Sequence, residues 1–135
     1  MTPMASGVTP RPVHVVPERS LLAARVADGK LGADTVVLAM DEILGITDAF
    51  VITSAGNARH VRTIAEEVEQ RLKEAGGGSP ARIEGLDDAR WVVMDYGDFL
   101  VHVFLDEARA FYDLEHLWSG APRIPWATSE RERRE

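Results

Sequence analysis

Two aspartates, Asp95 and Asp98, flank a Tyr96-Gly97 pair, and their closeness is the first feature of this sequence that could do chemistry. Neighbouring carboxylates can hold Mg²⁺, and metal pairs clamp the attacking and leaving oxygens in nucleotidyl transfer. On that reading the chain is a metal-dependent nucleotidyltransferase or phosphohydrolase. The competing reading is a turn, because an Asp side chain bonds the backbone just after it. We give the turn more weight. A transferase places closely spaced acids on the strand after a Gly-Ser turn, whereas here Gly56 precedes Asn57 and the acids come much later. Nothing else supplies a reaction centre. His14, His60, His102 and His116 show no HExxH zinc spacing, and with no cysteine there are neither disulfides nor thiolate metal sites. Gly76-Gly77-Gly78 lacks the Lys-Ser/Thr that grips phosphate. Ser54-Ala55-Gly56 ahead of a helix is a weak anion cradle, and no nucleophile elbow surrounds Ser54. The expectation is therefore no catalytic set, no metal and no cofactor.

Aromatic and acidic residues are more informative. Residues 80–120 hold nine acids and three bases, so they carry -6 of the net charge of -7. Binding a phosphate backbone needs a basic footprint, so no direct nucleic-acid binding is expected. A basic protein fits better, since opposite fields steer encounter. Trp91, Tyr96, Phe111, Tyr112, Trp118 and Trp126 gather in the same half of the chain. Trp and Tyr are common energetic anchors of interfaces. Trp91 and Phe111 are expected in the core, Tyr96 exposed at a turn tip, and Tyr112 and Trp118 in either place. For His102, in a buried strand, a hydrogen-bonded core histidine is favoured over a ligand.

The elements that must position these groups can be read from periodicity. A helix is expected from Glu18 to Leu31, burying Leu21, Leu22, Val26 and Ala27 and capped at Gly32. Thr35–Met40 and Ala49–Thr53 read as buried strands. Val61, Ile64, Ala65, Val68, Leu72 and Ala75 recur at helical steps and predict a long helix over 58–75, with Asn57 as N-cap and the three glycines as stop. His60, in its first turn, could cap that helix or meet a partner. A short strand at 81–84 precedes a hairpin, 90–95 and 99–105, turning at Tyr96-Gly97. In its return strand Phe99, Val101, Val103 and Leu105 share one face, and Leu100, His102 and Phe104 share the other. Both faces are apolar, which predicts a central strand covered on both sides. Asp106 is expected to cap a last helix running to Trp118. The order implies an α/β fold with a mixed sheet flanked by helices.

At 135 residues, one domain is expected. It should span 18–120, between a proline-bearing flexible tail at 1–17 and a C-terminal tail at 121–135 whose end is charged and frayed. No apolar run reaches the roughly 18 residues of a membrane span, so no membrane partner is expected and the cytoplasm is the expected location. The first 17 residues lack the apolar stretch of a signal peptide, although their lack of acids and Arg11 leave a transit sequence open.

Taken in order, several strings resemble the ribosomal silencing factor, or Iojap, family. They are Ile46-Thr47-Asp48, Asn57-Ala58-Arg59-His60-Val61, Glu84-Gly85, Trp91, Asp95-Tyr96-Gly97-Asp98, Val101-His102-Val103-Phe104 and the run Arg109 to Trp118. The resemblance covers about Glu18 to Trp118; Ala49 departs from the bulkier residue or cysteine expected after the Asp. The resemblance implies a nucleotidyltransferase-type fold without the transferase site. It also implies binding to the large ribosomal subunit through the basic protein L-fourteen, which blocks subunit joining and represses translation, and homodimers among free members. For the partner surface we expect Asp95, Tyr96, Asp98, Tyr112, Glu115 and Trp118. Arg109 and His102 are expected to orient neighbouring carboxylates.

Overall fold

The computed structural model describes residues 15–127. The residues before and after these, including most of both expected tails and His14, lie outside the described part. In chain order the elements are α1 (Glu18–Gly29), β1 (Ala33–Ala39), β2 (Ala49–Ala55), α2 (Ala58–Glu74), β3 (Arg82–Glu84), β4 (Trp91–Asp95), β5 (Phe99–Leu105), α3 (Asp106–Tyr112) and α4 (Leu114–Leu117). The strands form one mixed sheet in the order β1-β2-β5-β4-β3. Only β2 and β5 run parallel, from Ala49 opposite Phe99 to Ala55 opposite Leu105. The other pairings are antiparallel.

The expected alternation in β5 holds. Phe99, Val101 and Val103 pack with α1 and α2, joined by Val92, Met94 and Val51. Phe104, with Leu38, Phe50 and Ile52, packs on the opposite face against Ala108, Leu114 and Ala121. All seven residues of β2 are buried. The central parallel pair therefore lies between two apolar layers.

The helix ends show how local chemistry sets the frame. Asn57 caps α2 by accepting the His60 amide at 2.8 Å. His60 does not cap: its Nε2 donates to the Lys30 carbonyl at 2.7 Å and so ties the start of α2 to the end of α1. Gly76, at φ 82, ends α2 in the left-handed conformation, with the Gly77 amide bonding back to Leu72. Ala75, expected on the buried stripe, is exposed at this cap.

Three expectations are corrected. Helix α1 stops at Gly29, and the left-handed residue of its cap is Leu31 (φ 67), not Gly32. Leu31 bonds to Asp28 and Gly32 to Ala27, both through backbone amides. Gly32 is needed for another reason: a Cβ there would collide with the Thr53 side chain. The buried stripe of α1 is Ser20, Ala23, Ala24, Val26 and Ala27, with Leu21 and Leu22 only half-buried, because small residues let α1 lie close to the sheet and α2. Finally, the last helix is broken. Asp113 adopts φ 50 and separates α3 from α4, and Asp106 is the first helical residue, making no side-chain cap.

The described chain goes on packing beyond Gly120. The Ala39 amide bonds Pro122 and the Ile124 amide bonds Val37, covering the free edge of β1. The Trp126 indole donates to Thr35 at 3.0 Å, and Arg25 bonds the Trp126 carbonyl at 2.8 Å.

Candidate docking surface

The antiparallel register of β4 and β5 puts Trp91 opposite Phe104, Val93 opposite His102 and Asp95 opposite Leu100. These pairs share the sheet face that carries α3 and α4. Trp91 stands 5.0 Å from Phe104 and 4.7 Å from Tyr112, centroid to centroid. Its indole N–H donates to His102 Nδ1 at 3.0 Å. An indole can only donate, so His102 is neutral with its proton on Nε2. Burial pushes its pKa down to about 4. His102 is thus the hydrogen-bonded core histidine expected. It holds an indole and not a carboxylate, which corrects its expected orienting role.

Arg109 does take the orienting role. It donates from Nε and Nη2 to the two oxygens of Glu115, at 3.0 and 2.9 Å. It also bonds the carbonyls of Ala33 and Asp34 and the Ser54 hydroxyl. One side chain thereby ties α3 and α4 to β1 and β2. The Arg109 hydrogen bonds hold the Glu115 carboxyl below its usual pKa, against the opposing effect of burial. Anchored in this way, the short helices leave rings in solvent. Tyr112 is 47% exposed and Phe111, edge-on to it at 5.0 Å, is 78% exposed; Leu117 is 64% exposed. Trp118 is half-buried against the second core cluster. Glu107 and Asp113, on the same short segment, are exposed.

Next to these rings no described helix covers the sheet. Val93 and Leu100 are half-buried and, with Arg82, Glu84 and Asp95, line a shallow groove of about 200 Å³. Asp95 accepts the Gly97 amide at 2.8 Å through Oδ1, which is the turn geometry expected of it, and Arg82 is 3.4 Å from Oδ2.

Tyr96 and Asp98 lie elsewhere. Tyr96 is only 8% exposed and stacks on Phe99 at 4.8 Å, on the α1–α2 side. The expectation of an exposed ring at the turn tip is corrected: the turn folds Tyr96 back over the core. Burial, with Glu69 nearby, raises its pKa to about 12. Asp98 accepts Arg19 Nη2 at 2.7 Å through both oxygens. Arg19 in turn bonds the Gly77 carbonyl and lies 5.1 Å over Phe99. The hairpin tip is therefore a joint between α1, α2 and the sheet. Asp95 and Asp98 are engaged by different partners and do not converge as a metal pair.

Of the six expected residues, Asp95, Tyr112, Glu115 and Trp118 share one side of the sheet; Tyr96 and Asp98 do not. Sequence reading missed Phe111, placed in the core, and Leu117. Their exposure depends on the left-handed break at Asp113, and an Asp inside a helical pattern is only a weak sign of one.

The model of the family described as ribosomal silencing factor during starvation matches residues 14–135 of this chain. The chain belongs to the ribosomal silencing factor family. It is 39% identical over 101 residues to ribosomal silencing factor RsfS of Bacillus subtilis strain 168, covering 75% of this chain and 85% of that protein. A solved structure of a Chromobacterium violaceum protein superposes with a TM-score of 0.73 at 31% identity, over 84% of this chain and 93% of that one. The chain is also 32% identical over 88 residues to the mouse protein named mitochondrial assembly of ribosomal large subunit protein 1, covering 64% of this chain and 39% of that protein. Family membership confirms the resemblance read from the sequence strings, and the superposition confirms the mixed-sheet α/β fold.

Proposed function

We propose that this silencing factor docks on the large ribosomal subunit through its basic protein L-fourteen and sterically excludes the small subunit, repressing translation in the cytoplasm. The observation that carries the reading is the ring-bearing face formed by Trp91, Phe111, Tyr112 and Trp118 beside the acids Asp95, Glu107, Asp113 and Glu115. Aromatic anchors ringed by acids suit a basic protein surface, the rings supplying affinity and the charges steering. The mouse relative's name, which speaks of large-subunit assembly, points the same way. Action by occlusion needs only binding, and it agrees with Asp95 and Asp98 being held apart, one in the turn and one by Arg19. In this reading Tyr96 and Asp98 support the surface from behind by fixing the hairpin. The free chain pairs with a second copy, which sedimentation velocity checks.

Sedimentation with purified subunits tests the proposal. The chain should travel with the large subunit and not the small one. Light scattering should show that saturating chain prevents the two subunits from joining. Normal joining at saturation would overturn the reading.

A further inference from the structure

One groove on the two-helix layer is lined by charge of the opposite sign to the chain's net charge. This groove of about 420 Å³ between α1 and α2 is lined by Arg25 and Lys30 from one helix end and by Glu67 and Arg71 from the other helix, with Leu22 and Val26 among its apolar walls. Three cations face one acid there, in a chain whose net charge is -7. That acid, Glu67, forms a surface ion pair with Arg71 at 3.8 Å, and the Arg71 side chain remains 52% exposed. Lys30 has no ion pair among the described residues, and Arg25 uses only Nε, on the Trp126 carbonyl. The cations stand on two helices around an open groove instead of converging on one point. This arrangement suits successive phosphates, which Arg and Lys bind as fork and point charge respectively. It lies on the α1–α2 side of the sheet, away from the ring-bearing face.

We propose that the α1–α2 groove binds the phosphodiester backbone of an RNA strand. The net charge argued against nucleic acid as a partner, but binding is decided by the charges at the site, and this groove is lined by three cations and one acid. The inference stands on this groove alone and not on the docking face.

Fluorescence anisotropy of a labelled single-stranded RNA of about 20 nucleotides, titrated with the full chain across a salt series, tests it. Three neutralised phosphates on a single strand give a slope of log affinity against log salt of about −2. The double variant Lys30→Gln, Arg71→Gln should bind at least about ten-fold more weakly while its melting temperature shifts only slightly, since an exposed ion pair contributes little to stability. Isolated L-fourteen should bind wild type and variant alike, which separates a failure here from a failure of the docking reading. No RNA binding at low salt, equal affinity in the variant, or tight binding of pyrophosphate without binding of RNA would each overturn the assignment.

Discussion

His102 is where a single side chain makes the fold sensitive to pH. An unfolded imidazole takes up a proton near 6.5, while the buried one resists until about 4. The unfolded state therefore binds more protons between these values. Stability is full above 6.5 and declines as pH falls toward 4, by about 3 kcal/mol in all. A proton on Nδ1 would also oppose the Trp91 N–H that now points at it. Urea titrations across this window should show that slope in the wild type and a flatter one in His102→Leu; equal slopes would refute the assignment. Arg109 is the second residue on which much depends. Its side chain is only 11% exposed and serves both carboxylate oxygens of Glu115. Arg109→Ala leaves Glu115 short of its main partner and should cost roughly 3 kcal/mol, read as a lowered urea midpoint. Because Arg109 lowers the Glu115 pKa, that contribution is present above the ordinary carboxylate range and is lost on acidification through the lowered folded value.

At the scale of elements, left-handed residues decide where helices stop. Leu31 holds φ 67 at the end of α1 and is 79% exposed, so its side chain contributes little packing. An L side chain in this conformation is strained, and a glycine is not. Leu31→Gly should therefore stabilise the protein by about 1 kcal/mol, even against the greater freedom of glycine in the unfolded chain. A thermal melt that falls instead would show that Leu31 is held by something besides backbone geometry. The break at Asp113 matters more for function. An unbroken helix over 106–118 would run straight off the end of β5. The break instead folds α4 down so that Leu114 joins the buried cluster that holds Leu38 and Phe50 and Trp118 packs against it, while Phe111 and Leu117 are left outside.

The whole molecule is a sheet with unlike faces. One face is closed by α1 and α2, with a groove lined by three cations and one acid on their outer side; among the described residues, the other is covered by α3, α4 and Ala121 and leaves Val93 and Leu100 half-buried. The docking proposal makes a contrast between sites that share a sequence motif. Tyr112→Ala, at an exposed ring, should leave the urea midpoint nearly unchanged and weaken large-subunit binding by at least about 30-fold, the equivalent of a 2 kcal/mol anchor. Tyr96→Ala, in the core, should cost roughly 3 kcal/mol or more in stability. If Tyr112→Ala cosediments like wild type while Phe111→Ala and Trp118→Ala do so too, the ring face is not the docking surface.

Much of this architecture is written in local sequence. The period of Val61, Ile64, Val68 and Leu72 defines α2, and Asn57 and Gly76 its ends, because helix periodicity and capping involve residues only a few positions apart. The two apolar sets of β5 reveal a covered central strand for the same reason, and the strings from Ile46 to Trp118 carry the family. What the chain alone does not decide is which rings face water. Tyr96 and Tyr112 are each adjacent to an Asp, yet one is packed on Phe99 and the other is half in solvent. Their fates depend on long-range events: Arg19 closing over the hairpin, and Arg109 drawing the short helices onto β1. Likewise the cationic groove arises from residues of two helices spread over some 45 positions, from Arg25 to Arg71. Only tertiary packing brings such charges onto one surface, so an overall charge of -7 conceals them.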